Sequence, residues 1–178
     1  TLSRGYGRTG SGFTEVEAMD DGRAVGDEPL MLKRKFSSVR VFVGADRIAG
    51  IEAIRARVPD VRAVVLDDAF QHRALKAGLN IALTTWQRPW YRDHLLPAGN
   101  LRDLPYRARQ ADVVIVTKCP KLPSSEEQHR WRERLGLRPE QALFFSGIEY
   151  ALPCSLIDAA ATVPTGDGTA ALLFTGIA

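Results

Sequence analysis

Cysteine is scarce in this sequence. Only Cys119 and Cys154 occur, far apart and in no CxxC pair. That excludes a disulfide scaffold or a zinc ribbon and makes a reduced, cytosolic compartment the default. Long apolar runs are missing too. No stretch approaches the roughly 20 residues of a membrane-spanning helix, and no signal-peptide pattern is visible. A dominant charge is also lacking. The formal net charge is +3 and the pI near 9.1, with Lys and Arg spread along the chain, so there is no nucleic-acid footprint. The one basic run, Lys33–Arg34–Lys35, reads as a solvated helix end. Finally, no Gly-x-x-x-x-Gly-Lys-[Ser/Thr] loop occurs. These residues therefore contain no cradle of that type for the β- and γ-phosphates of a nucleotide.

What is present suits one α/β domain. The 178 residues, 45% hydrophobic and 25% charged, suffice for a proper core. Strands are predicted at Val39–Val43, Val61–Leu66, Asn80–Thr85, Ala111–Thr117, Ala142–Ser146 and Ala170–Phe174. Between them, Arg47–Arg57 places Ile48, Ile51 and Ile54 at helical spacing, and Ser124 caps a helix running to Leu135. Pro29 and Asp27 mark a helix start, with Asp27 suited to the cap. Arg8–Arg23 reads as a loop or hairpin, and Trp86–Leu104 is a long irregular connection. Apolar strands alternating with helices predict a mostly parallel sheet covered on both faces, with ligands at the carboxyl ends of its strands.

The polar residues at those ends carry the chemistry. Val64-Val-Leu-Asp67-Asp68 delivers carboxylates from a buried strand, the arrangement that holds Mg²⁺ in a Walker B segment; a capped turn is the other reading. Gln71 and His72 add an amide and a base within one turn of these acids. In Gly26-Asp27-Glu28-Pro29 the acids serve either a helix start or, for one of them, acceptance of a proton from a substrate hydroxyl. Arg4, in Ser3-Arg-Gly-Tyr-Gly-Arg8, suits phosphate, or else is a solvated arginine in a glycine turn. Arg47 sits at a helix start, where a cation opposes the dipole, which suggests that it faces an anion. Asn100 and Arg102, in Leu96-Pro-Ala-Gly-Asn-Leu-Arg102, suit a polar head group, and Lys118 ends a strand where a nucleotide base can lie.

Taken in order, Leu2-Ser-Arg-Gly-Tyr-Gly-Arg8, Gly26-Asp-Glu-Pro-Leu-Met31, Val43-Gly-Ala-Asp-Arg47, Val65-Leu-Asp-Asp-Ala-Phe-Gln-His72, Leu96-Pro-Ala-Gly-Asn-Leu-Arg102, Ala111-Asp-Val-Val-Ile-Val-Thr-Lys118 and Phe174-Thr-Gly-Ile-Ala178 resemble the tetraacyldisaccharide 4′-kinases of lipid A biosynthesis. The resemblance implies a P-loop kinase that uses ATP and Mg²⁺ to phosphorylate the 4′-hydroxyl of a tetraacylated disaccharide 1-phosphate lipid. It implies a peripheral seat on the cytoplasmic face of the bacterial inner membrane. It makes Asp27, Asp68 and His72 catalytic, with Asp27 the base. Asp67, Gln71, Glu28 and Lys118 become cofactor-binding, Asp67 and Glu28 metal ligands, and Arg4, Arg47, Asn100 and Arg102 substrate-binding. It also implies an internal fragment, inactive alone. Residues 1–150 would be the kinase core without its Walker A segment. Residues 151–178 would be a linker and a strand leading to a second lobe. Two departures stand out: Ala69 where the family has Gly, and Asn100 where it is variable. Another P-loop NTPase, or a non-catalytic nucleotide-sugar or anion-binding domain, are the competing readings.

Overall fold

The computed structural model describes residues 1–70, 72 and 74–150. The predicted strand at Ala170–Phe174, the linker before it, Cys154 and Gln71 lie outside the described residues. The elements run β1 (Leu2–Ser3), β2 (Thr14–Val16), α1 (Gly22–Val25), α2 (Asp27–Lys35), β3 (Val41–Val43), α3 (Arg47–Arg57), β4 (Ile81–Thr85), two 3₁₀ turns (Trp90–Arg92 and Pro105–Gln110), β5 (Val113–Thr117), α4 (Ser125–Leu135) and β6 (Ala142–Phe145).

The strands form two three-stranded sheets rather than one. The first has the order β1-β3-β2, with β1 parallel and β2 antiparallel to β3. The second, β4-β5-β6, is wholly parallel. The predicted strand Val61–Leu66 is a correction. It lies along β1 but makes only one parallel bridge, Leu66 to Leu2, flanked by the Leu2 N–H donating to Val65 O (2.9 Å) and the Asp67 N–H donating to Leu2 O (3.2 Å). The reason is length: β1 is two residues long and offers no further ladder. Arg8–Arg23 also differs from expectation, because β2 lies within it and pairs with β3 rather than folding back as its own hairpin.

Alternation of side chains decides what each face buries. In the first sheet Val16, Val41 and Val43 pack with Val25 and Leu30 on the α2 side. Leu2 and Phe42 face the other way, against Ile51 and Ile54 of α3. This sheet is covered on both faces, as predicted. The second sheet departs from that expectation. Val114 and Val116 of β5 pack against Trp131 and Leu135 of α4. On the opposite face Ile81, Leu83 and Phe144 remain 49–65% exposed among the described residues. The α4 start is as predicted: Ser124 Oγ accepts from the Glu127 N–H, and Glu127 returns the bond to the Ser124 N–H.

One buried amide ties the second sheet to the chain before it. Gln141 is 1% exposed. Its Nε2 donates to Ala108 O (3.0 Å) and Ala111 O (2.7 Å), and its Oε1 accepts from the Arg138 N–H (2.9 Å). Gln141→Leu keeps the volume but strips Ala111 O and the Arg138 N–H of their partner, each at about 1–3 kcal/mol, while Ala108 O keeps the Ala111 N–H at 3.1 Å. The expected result in urea unfolding of the full-length protein is a loss of roughly 3 kcal/mol with an unchanged slope. A loss below about 1 kcal/mol would show that water replaces the amide.

Candidate functional site

Two groups of residues converge at the carboxyl ends of β1 and β3. The first begins with Arg4 and Gly5, immediately after β1, and with the start of α2. Gly26 ends α1 and caps α2 with φ 98°, a left-handed value that suits glycine. A Cβ built on Gly26 would stand 3.4 Å from Gly5 Cα, so the two turns touch backbone to backbone. Gly26, not Asp27, therefore occupies the cap, and Asp27 is the first helical residue. The carboxylate of Asp27 lies over Gly22, where a Cβ would come within 2.3 Å of its Oδ1. Asp27 and Glu28 are both exposed, and neither carboxylate has a hydrogen-bond or ion-pair partner among the described residues.

Arg47 is the unusual member. The neighbouring Asp46 caps α3, accepting from the Ile48 and Ala49 N–H groups at 2.9 and 3.0 Å, which accommodates the cation at a helix start. Arg47 itself is only 4% exposed. It donates to Gly44 O (2.6 Å) and Ala45 O (3.2 Å), both at the end of β3, while its Nε has no partner among the described residues. Burial, and after it the like charge of Arg4, pull its ionisation below the ordinary arginine range; Asp67 and Asp68 oppose this. Arg4, Arg47, Asp67 and Asp68 thus share one electrostatic neighbourhood.

The second group is the acidic turn. Asp68 adopts φ 47°. The left-handed backbone falls there and not on Ala69, so the Ala69 methyl meets no such strain. Arg102 grips Asp68 bidentately, NH1 to Oδ2 at 2.9 Å and NH2 to Oδ1 at 2.6 Å, and this contact pushes the Arg102 pKa up. The carboxylate of Asp67 makes no hydrogen bond or ion pair among the described residues. His72 is half-buried, and its buried Nδ1 has no partner among the described residues.

Two predicted members stand elsewhere. The Asn100 backbone N–H donates to Asp93 Oδ1 (3.2 Å), and its side chain is exposed. Lys118, with φ 57°, follows β5 beside an open cleft of about 300 Å³ lined by Cys119, Lys121, Leu122, Phe145 and Ser146. No hydrogen bond or ion pair links Lys118 to the acidic turn among the described residues. Burial raises the Cys119 thiol above its usual range. Sequence reasoning passed over Asp93, whose side chain is 7% exposed. Its one signal was an Asp opening the Pro-Ala-Gly-Asn turn, a residue type that caps its own loop.

A family model described as LpxK, tetraacyldisaccharide-1-P 4′-kinase, matches residues 1–178. The chain belongs to the tetraacyldisaccharide 4′-kinase family. Curated relatives carrying the family's name include a Bacteroides fragilis (strain YCH46) protein, 46% identical over 150 residues, with 84% of this chain and 40% of the relative covered. A Flavobacterium johnsoniae relative is 41% identical, with 84% of this chain and 44% of the relative covered. The chain thus spans about 40% of the length of the family members it matches. Among solved structures, "apo" form LpxK from Aquifex aeolicus in complex with ATP matches with a TM-score of 0.59 and 25% identity, covering 82% of this chain and 60% of that one. The α/β architecture expected for the family is the one observed.

Proposed function

We propose that the protein containing this chain transfers the γ-phosphoryl group of ATP to the 4′-hydroxyl of a tetraacyldisaccharide 1-phosphate lipid. The observation that carries the reading is the gathering of Arg4, Arg47, Asp67 and Asp68 at the strand ends, in a chain of this family. An ATP-bound family structure supports the nucleotide.

Phosphoryl transfer needs positioning and charge compensation more than covalent chemistry. In this reading Asp27, exposed at the α2 start, orients the acceptor hydroxyl and takes its proton. Arg47, whose buried Nε has no partner among the described residues, and Arg4 offset the charge of the phosphate oxygens. Arg102 holds Asp68 in place, and His72 stands within the same turn. In this reading Gln71 and Lys118 serve the nucleotide and Asn100 the head group. For a metal, no group of three His, Cys, Asp or Glu side chains is assembled among the described residues. Mg²⁺ keeps most of its waters and takes one or two carboxylates beside phosphate oxygens. Asp67, exposed and unpaired, has the donor chemistry, with Glu28 the second candidate. Mg²⁺ bound there supplies charge neutralisation at the phosphate oxygens. No described helix is long and apolar enough to cross a membrane. The membrane seat is inferred from the lipid substrate.

The test is radiolabel transfer from γ-labelled ATP to the disaccharide lipid by the full-length protein and by the 178-residue chain. Turnover by the former and none by the latter is expected. A full-length protein that hydrolyses ATP but never labels the lipid 4′-position would overturn the assignment.

A further inference from the structure

We infer that Asp93 is a positioning residue, a buried carboxylate that closes the loop 94–101 so that Arg102 reaches Asp68. The inference rests on the kinase reading of the Asp68–Arg102 pair.

Three observations carry it. First, the Asp93 side chain is only 7% exposed, yet it sits in a loop. Its Oδ1 accepts from both ends of the turn, the His94 N–H at 2.8 Å and the Asn100 N–H at 3.2 Å. The Arg88 Nε faces its Oδ2 at 3.7 Å. The His94 N–H above all, and then the Asn100 N–H and Arg88, hold the carboxyl below the usual aspartate range against the opposing effect of burial. Secondly, the loop is a closed backbone ring. Leu101 N–H donates to His94 O (3.0 Å), Leu96 N–H to Leu101 O (3.0 Å) and Gly99 N–H to Leu95 O (3.1 Å). Gly99 packs so tightly that a Cβ would lie 2.4 Å from Asp93 Oδ1 and 2.3 Å from His94 O. Thirdly, Arg102 emerges directly from this ring, and among the described residues its side chain is held by Asp68 alone.

The Asp68–Arg102 pair cannot position itself. Both side chains are more than half exposed, at 54% and 58%. An exposed ion pair is weak and does not fix the backbone that carries it. Three backbone bonds close the ring, and the Asp93 carboxylate, accepting the His94 and Asn100 N–H groups, anchors its base. That carboxylate contacts backbone and Arg88, not the acidic turn, so it acts through Arg102.

The experiment uses the full-length protein, with lipid and ATP kinetics measured separately and amide hydrogen exchange read across residues 94–102. Asp93→Ala is expected to speed exchange in the loop and to lower kcat/KM for the lipid about a hundredfold, the cost of a misplacement of around 1 Å, with the KM for ATP unchanged. Asp93→Asn keeps the Oδ1 acceptor and is expected to restore most of the loss. If Asp93→Ala does not fold, Asp93→Ser, with a shorter acceptor, takes its place with the same readouts. Unchanged loop exchange overturns the inference. So does faster exchange with wild-type lipid kinetics while Arg102→Ala loses turnover. A wild-type protein without lipid turnover overturns the kinase reading instead, and the exchange result still decides whether Asp93 closes the loop.

Discussion

Asp27→Asn in the full-length protein is expected, on the proposed kinase function, to lower kcat about a thousandfold while leaving ATP affinity within a factor of about two; a positioned general base contributes typically 10²–10⁴. The substitution is nearly isosteric. The amide still fits over Gly22, where the structure leaves no room for a Cβ, so α2 and its Gly26 cap keep their shape. What disappears is the ability to accept the proton of the acceptor hydroxyl. The proton is taken only as the hydroxyl attacks, so the loss appears in kcat rather than in nucleotide binding. Steady-state kinetics paired with calorimetric ATP titration separates the two. A variant with kcat within tenfold of wild type would remove Asp27 from the role of base.

Arg47→Met is expected to be nearly as damaging to turnover, by about two to three orders of magnitude, the usual effect of deleting one preorganised stabiliser of transition-state charge. The side chain is 4% exposed and already spends donors on Gly44 and Ala45 carbonyls, leaving Nε unpaired among the described residues. Methionine fills the same apolar volume but strands the buried Gly44 carbonyl, at about 1–3 kcal/mol, while the carbonyl of exposed Ala45 turns to water. Stability therefore falls modestly while catalysis falls steeply. Arg47→Lys restores charge without the planar fork and should recover only part of the rate. Thermal melts measured beside single-turnover rates make the comparison. If rate loss merely tracks lost folded fraction, Arg47 is a structural cation and nothing more.

Much of this was legible in the residues because the signals were local. The α4 capping box, the Ile spacing of α3 and the apolar β5 each depend on a few consecutive side chains, and the structure shows all three. The strand predicted at Val61–Leu66 depended on its partner. Its composition is strand-like, but β1 supplies two residues of pairing and no more. The exposure of Ile81, Leu83 and Phe144 among the described residues was equally invisible, because strand composition does not say which helix arrives. At the site, sequence named Asp68 and Arg102 separately, as acid and as substrate ligand; only the fold shows them locked together. Arg47 was singled out for its conflict with the helix dipole. The conflict is eased by Asp46 and two carbonyls, and burial replaces exposure as the reason to single it out. Asp93 went unnoticed because a lone Asp in a loop is the commonest of residues until its burial is known.

The contact between Gly5 and Gly26 bears on how such a chain can drift through sequence space. Both residues have positive φ, and a side chain on Gly26 would press on the Gly5 backbone while one on Gly5 would meet the Val25 carbonyl at 3.1 Å. Each is held to glycine on its own account, Gly5 by its φ and by Arg8 and the Val25 carbonyl, Gly26 by its φ and by Pro29, so a change at one is not rescued by a change at the other. A lineage that kept the fold while abandoning the chemistry would be free to lose Asp27 long before it could lose either glycine.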